Sequence, residues 1–91
     1  MNSEQRLEEI QSRLEKALQA ETVQVEDEGH KHIGHEGARD GRGHFHVLVI
    51  SAQFRGKTPI QRHRLVYQAM GELMQTDIHA LAIDAYTPDE L

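Results

Sequence analysis

Residues 44–51, His44-Phe45-His46-Val47-Leu48-Val49-Ile50-Ser51, alternate with the two-residue period of a β-strand. Phe45, Val47 and Val49 fall on one face, and His46, Leu48 and Ile50 on the other. Upstream, Leu7, Ile10, Leu14 and Leu18 recur at spacings of three and four, which predicts an amphipathic helix from Ser3 to Ala20. Ser3 is the expected N-cap, and Glu8, Glu9, Arg13, Glu15 and Lys16 form the solvated face. Thr22 to Glu26 sets Val23 and Val25 against Gln24 and Glu26 and reads as a short strand. Downstream, Thr58-Pro59 opens a helix carried by Ile60, Val66, Ala69 or Met70, Leu73 and Met74 to about Gln75, with Gly71 the weak point inside it. Ile78 to Tyr86 is a third strand, with His79, Leu81, Ile83 and Ala85 on one side. Thr87-Pro88-Asp89-Glu90 is a capping sequence for a last helical turn.

Helix, strand, strand, helix, strand and a short final turn predict a two-layer α+β sandwich, a three-stranded sheet with helices on one face. Ninety-one residues hold one domain, 1–91. The chain has no long apolar run and a polar, charged start, so neither a membrane span nor a secretory leader is expected, and the expected location is the cytoplasm. Without cysteine the chain cannot form a disulfide, use a thiol nucleophile or hold an iron–sulfur cluster on its own thiolates; metal chemistry must use His or carboxylate. No nucleophile elbow, Walker loop or dinucleotide fingerprint occurs, and no enzymatic activity is expected.

The net charge of −5 conceals an asymmetry. Residues 1–36 carry four Lys/Arg against nine Asp/Glu, residues 37–64 six against one, and residues 65–91 none against five. Seven histidines are present, and His30, His32, His35, His44 and His46 crowd into one stretch. The glycine-rich, charged loop from Asp27 to Gly43 carries His30-x-His32-x-x-His35, which suits either a metal ion or a solvated polar loop. Gly34-His35-Glu36-Gly37 in the same loop is a weak match to an RNA-clamping Gly-x-x-Gly. His79 opens an apolar strand, where it serves either as a ligand or as a backbone-bonded strand end. Arg55, Lys57, Arg62, His63 and Arg64 can receive phosphates or form a solvated face. His44 and His46 read as packing or water-facing strand residues.

Together, Phe54-x-Gly56, Gln61-Arg62-His63-Arg64-Leu65-Val66-Tyr67, Ile78-His79-Ala80-Leu81-Ala82-Ile83 and Tyr86-Thr87-Pro88 resemble the BolA-like proteins. The N-terminal helix, the strand ending Val25-Glu26-Asp27-Glu28, the histidine loop and Gly43-His44-Phe45 extend the resemblance over essentially the whole chain. The resemblance implies a KH-like fold of the second type. It also implies partnership with a monothiol glutaredoxin and a shared [2Fe–2S] cluster, to which the glutaredoxin cysteine and glutathione supply sulfur. This chain would supply His79 and a loop histidine: His32, with His30 and His35 as alternatives. A link to DNA binding and transcriptional control of cell shape and stress responses is also implied, through the Arg62-His63-Arg64 helix.

Overall fold

The structure, a computed structural model, describes residues 1–29 and 42–91. Helix α1 spans Ser3–Leu18. Its N-cap is Asn2, one residue before the expected Ser3, because Asn2 and Gln5 form a reciprocal capping box: Gln5 N–H donates to Asn2 Oδ1 at 2.8 Å and Asn2 N–H to Gln5 Oε1 at 3.0 Å. The helix stops two residues short of Ala20, where Gln19 turns left-handed at φ 47°.

Strand β1 (Thr22–Asp27) runs antiparallel to β2 (Gly43–Ile50), with Val23 opposite Val49 and Val25 opposite Val47. Ser51, expected to end β2, lies just beyond it and is buried. Its hydroxyl donates to Leu18 O at 2.6 Å and accepts from Gln53 N–H, fastening the end of α1 to a 3₁₀ turn at Ala52–Phe54. Helix α2 (Pro59–Met70) begins with the expected Thr58 cap and Pro59 at its first turn, and Thr58 and Gln61 complete a capping box.

The expected helix to Gln75 is broken at Gly71, whose φ of +55° glycine adopts without a Cβ penalty; a short α3 follows at Leu73–Thr76. Ile60, expected on the buried face, is 66% exposed, since six residues separate it from Val66 and place it round the helix from that face. Strand β3 (Ile78–Tyr86) has the expected limits and pairs parallel to β2, so the sheet order is β1-β2-β3. A second 3₁₀ turn, Pro88–Glu90, closes the chain with a Thr87/Glu90 capping box.

One face of the sheet carries the helices. Ile10, Leu14 and Leu18 of α1, Val66 and Met70 of α2, and Leu73 meet Phe45, Val47, Val49, Phe54 and Ile78 in one core, with Leu7, Leu81 and Ile83 packed at its margin. Each large side chain buried there contributes about 1.5–3 kcal/mol. The architecture is the α+β, KH-like arrangement expected. His79 departs from the expected alternation. The β2/β3 register steps from Gly43↔Ile78 to His44↔Ala80, leaving His79 as the extra residue of a bulge and exposed.

Candidate functional site: a histidine corner and a basic corner

The start of β3 is strapped in place. Gly43 N–H donates to Asp77 O at 2.8 Å, while the Asp77 carboxylate accepts from Thr76 Oγ1 at 2.8 Å and from Arg6 Nε at 3.0 Å. Those hydrogen bonds, Thr76 first and Arg6 second, hold the Asp77 carboxyl below the ordinary range. Ile78 is fully buried, so the next residue, His79, leaves the core at an anchored point.

His44 lies beside it on β2. His44 is buried, and the two imidazole centroids stand 5.0 Å apart with planes tilted by 52°. Arg42 Nη2 lies 3.2 Å from His79 Nδ1. A guanidinium only donates, so Nδ1 is the acceptor and the neutral ring in this arrangement carries its proton on Nε2. On the β1 side, Glu28 N–H donates to His44 O at 2.7 Å, and Asp27 Oδ1 accepts from Gly29 N–H at 2.8 Å as the strand ends. His30, His32 and His35 lie outside the described residues, as does Gly34-His35-Glu36-Gly37. Among the described residues, no group of three or more His, Cys, Asp or Glu is arranged to hold a metal ion.

The basic candidates occupy another corner and are not equivalent. Arg62 is a structural tie: Nε donates to Lys57 O at 3.0 Å, Nη1 to Ala85 O at 3.1 Å, and the fork grips Glu90 at 2.7 and 3.1 Å. Its guanidinium lies 5.9 Å from the centroid of the buried Phe54 ring. The Glu90 carboxyl is thereby lowered to about 2, chiefly by Arg62 and then by the Thr87 backbone N–H. Arg55 pairs with Asp89 at 3.0 Å. Lys57 and Arg64 are exposed and His63 is partly so. An open groove of about 370 Å³ runs between the start of α2 and β3, lined by Arg62, His63, Ile83 and Tyr86 among others. On the sheet face opposite the helices, His46 Nε2 meets Asp84 Oδ2 at 2.6 Å across β2 and β3.

His44 packs, as expected, and its neighbour is the His79 ring; that meeting and the part of Arg42 are what sequence reading does not show. The signal that joins them to His79 is the parallel register of β2 and β3, which follows from the fold and not from local pattern.

A family model described as BolA-like protein matches residues 14–90. BolA-like protein 1 of Mus musculus is 42% identical over 79 residues, covering 87% of this chain and 56% of that protein. The DNA-binding transcriptional regulator BolA of Escherichia coli is 35% identical over 83 residues, covering 91% of this chain and 76% of that protein. Among solved structures, the BolA domain of SufE1 from Arabidopsis thaliana superimposes with a TM-score of 0.85 at 36% identity, covering 100% of this chain and 99% of that one. The chain spans only 24% of the length of the whole SufE-like protein 1 of that plant, and about half of the mouse relative. With one family's pattern running through α1, the sheet and the final turn, and a solved member superimposing over the full length, this chain belongs to the BolA-like protein family.

Proposed function

We propose that the protein is a non-enzymatic partner of a monothiol glutaredoxin, sharing a [2Fe–2S] cluster with it for cluster trafficking or for iron and redox sensing. The observation that carries this reading is His79: an exposed imidazole on a β-bulge, seated between a pinned carboxylate and a parallel strand. The donor set fits one side of such a cluster. It offers nitrogen at a surface a partner can reach, and a chain without cysteine leaves every thiolate to the glutaredoxin and glutathione. His79 would hold one iron, and a second nitrogen from His32, or from His30 or His35, belongs to the same proposal. Nitrogen on one iron and sulfur on the other raises the reduction potential of the bound cluster.

The chain's own part is to present the imidazole. Asp77, Thr76 and Arg6 fix the strand start, Ile78 anchors it, and Arg42 occupies Nδ1 until it is displaced. Mixing the protein with a cluster-loaded monothiol glutaredoxin and recording visible absorption and circular dichroism tests the reading. A new heterodimer spectrum is expected, which His79→Ala should abolish or return toward the all-thiolate glutaredoxin form. An unchanged heterodimer spectrum in that variant overturns the role of His79.

A second reading, DNA binding, is supported by the similarity to relatives named DNA-binding transcriptional regulator BolA. Lys57 and Arg64 are its exposed cations, flanked by His63, while Arg55 and Arg62 carry acidic partners. Binding on so few open charges is expected to be weak and to fall steeply with salt. Nanomolar, sequence-specific binding at physiological salt would place this function ahead of the first.

A further inference from the structure

We propose that the outer edge of β3 is a strand-docking site, where a partner protein adds an extended segment with apolar side chains on one face and basic ones on the other. The sheet order β1-β2-β3 leaves β3 paired along one side only. Ser51 N–H donates to Tyr86 O at 3.0 Å, so Tyr86 and its alternates Asp84, Ala82 and Ala80 turn their backbone groups toward β2. Leu81, Ile83 and Ala85 turn theirs outward. The hydrogen bond from Arg62 Nη1 to Ala85 O at 3.1 Å marks that direction and closes one end of the edge. At Leu81 and Ile83 the outward N–H and C=O groups meet no backbone partner among the described residues. Strand β3 also contains no Lys, Arg or Pro, the residues that commonly blunt an exposed edge.

The groove of about 370 Å³ opens on this edge, because residues from both faces of β3 line it: Ile83 and Ala85 from the helix side, Asp84 and Tyr86 from the other. Pro59 and His63 of α2 form its far wall. An added strand presents alternate side chains to each face, and the groove sets their chemistry. Toward α2 they meet Pro59, Ile83 and Ala85, which apolar side chains fit. Toward the opposite face they meet the Asp84 side chain, 50% exposed, which a Lys or Arg fits. The carboxylates of Asp84 and Glu90 in the walls disfavour a phosphate backbone, and Arg62 is already held by Glu90. The occupant is therefore a polypeptide strand and not a nucleic acid. Neither His44 nor His79 takes part, so the site is independent of the cluster reading.

The test is titration of the ¹⁵N-labelled full chain with a capped octapeptide of alternating valine and lysine. The amides of Leu81, Ile83 and Ala85 should shift, and their hydrogen exchange should slow as the peptide saturates the edge. Those of Ala82 and Asp84, which face β2, should keep their exchange rates. A fully N-methylated copy of the peptide keeps the side chains but has no N–H to donate, and it should produce no such shifts. A peptide of alternating valine and glutamate should bind about two- to fivefold more weakly, the size of one exposed charge pair, and Asp84→Asn should remove most of that difference. His79→Ala should bind the valine–lysine peptide as the wild-type protein does. The site is overturned by absence of shifts at millimolar peptide, by equal shifts from the N-methylated copy, by equal affinity for the two charge forms, or by loss of binding in His79→Ala. A stronger response of the same amides to single-stranded DNA would give the groove to nucleic acid and overturn it as well. The His79-dependent heterodimer spectrum is read in a separate mixture, so the cluster reading stands or falls apart from this one.

Discussion

The basic corner and the histidine corner both stand out in the sequence, yet the fold treats them in opposite ways. At the first, Arg62 is tied to Glu90, two backbone carbonyls and the Phe54 ring, and Arg55 pairs at the surface with Asp89, so charge that looked available is engaged in holding the last turn. At the second, the strand start is pinned while the His79 imidazole is exposed, with a guanidinium nitrogen of Arg42 at its Nδ1 that an arriving ligand can replace. Local charge density therefore misjudges accessibility. What matters is how many of a residue's hydrogen bonds reach the backbone.

The sharpest way to break the contrast is through Phe54, which is fully buried beneath Arg62. Phe54→Ala should cost about 3–5 kcal/mol by chemical denaturation, as expected of a large cavity at a core aromatic. A loss below about 1 kcal/mol would mean that the basic corner is not locked to the core.

Next in size is the comparison of Arg62→Ala with Arg64→Ala. Arg62→Ala should lower the melting temperature because two carbonyls and a carboxylate lose their donor, whereas Arg64→Ala, on an exposed position, should leave it within experimental error. Any DNA affinity should show the reverse order, falling with Arg64→Ala while stability is unchanged. Equal melting temperatures for the two variants would remove the distinction drawn between them.

These variants also show where sequence was and was not sufficient. The limits of β3 and the start of α2 were legible, because the alternating run from Ala80 to Ala85 and the Thr58-Pro59-Gln61 cap are local signals. The end of α2 was half legible: Gly71 was noticed, but a glycine inside a helical pattern does not say whether it will take a positive φ. Asp89 and Glu90 were counted in an acidic block separate from the basic one, since nothing local indicates that the last turn folds back onto Arg55 and Arg62. The meeting of His44 with His79 was likewise hidden, because it needs a parallel pairing and a one-residue bulge.

At the histidine corner, His79→Ala should change stability by less than about 0.5 kcal/mol, the usual range for surface positions, even though it is expected to remove the heterodimer spectrum. In the untouched protein, ¹⁵N spectra at a pH where the ring is neutral should show the Nε2–H tautomer of His79, and Arg42→Ala should relax that preference. A dominant Nδ1–H tautomer in the wild-type protein would contradict the Arg42 contact.

The smallest effect is confined to acid. Glu72 is lowered from the usual 4.5 to about 2, first by its hydrogen bond with Arg13, and Glu90 is lowered to the same region by Arg62. A carboxylate whose folded pKa is depressed binds fewer protons in the native state than in the unfolded one, so stability falls as pH drops. Its contribution is complete above about 4.5 and is lost progressively down to about 2. Both groups lie at the surface, where solvent and salt weaken such pairs, so the slope should be shallow and should flatten further in high salt. Melting temperatures between pH 5 and pH 2 should fall less steeply in Glu72→Gln and Glu90→Gln than in the wild-type protein. At neutral pH, Glu90→Gln should be the more damaging of the two, because Glu90 binds both the partly buried Arg62 and the Thr87 N–H, whereas Arg13 keeps Glu9 and the Met70 carbonyl when Glu72 is neutralised. An unchanged acid slope in both variants would show that these pairs do not set the low-pH limit of the fold.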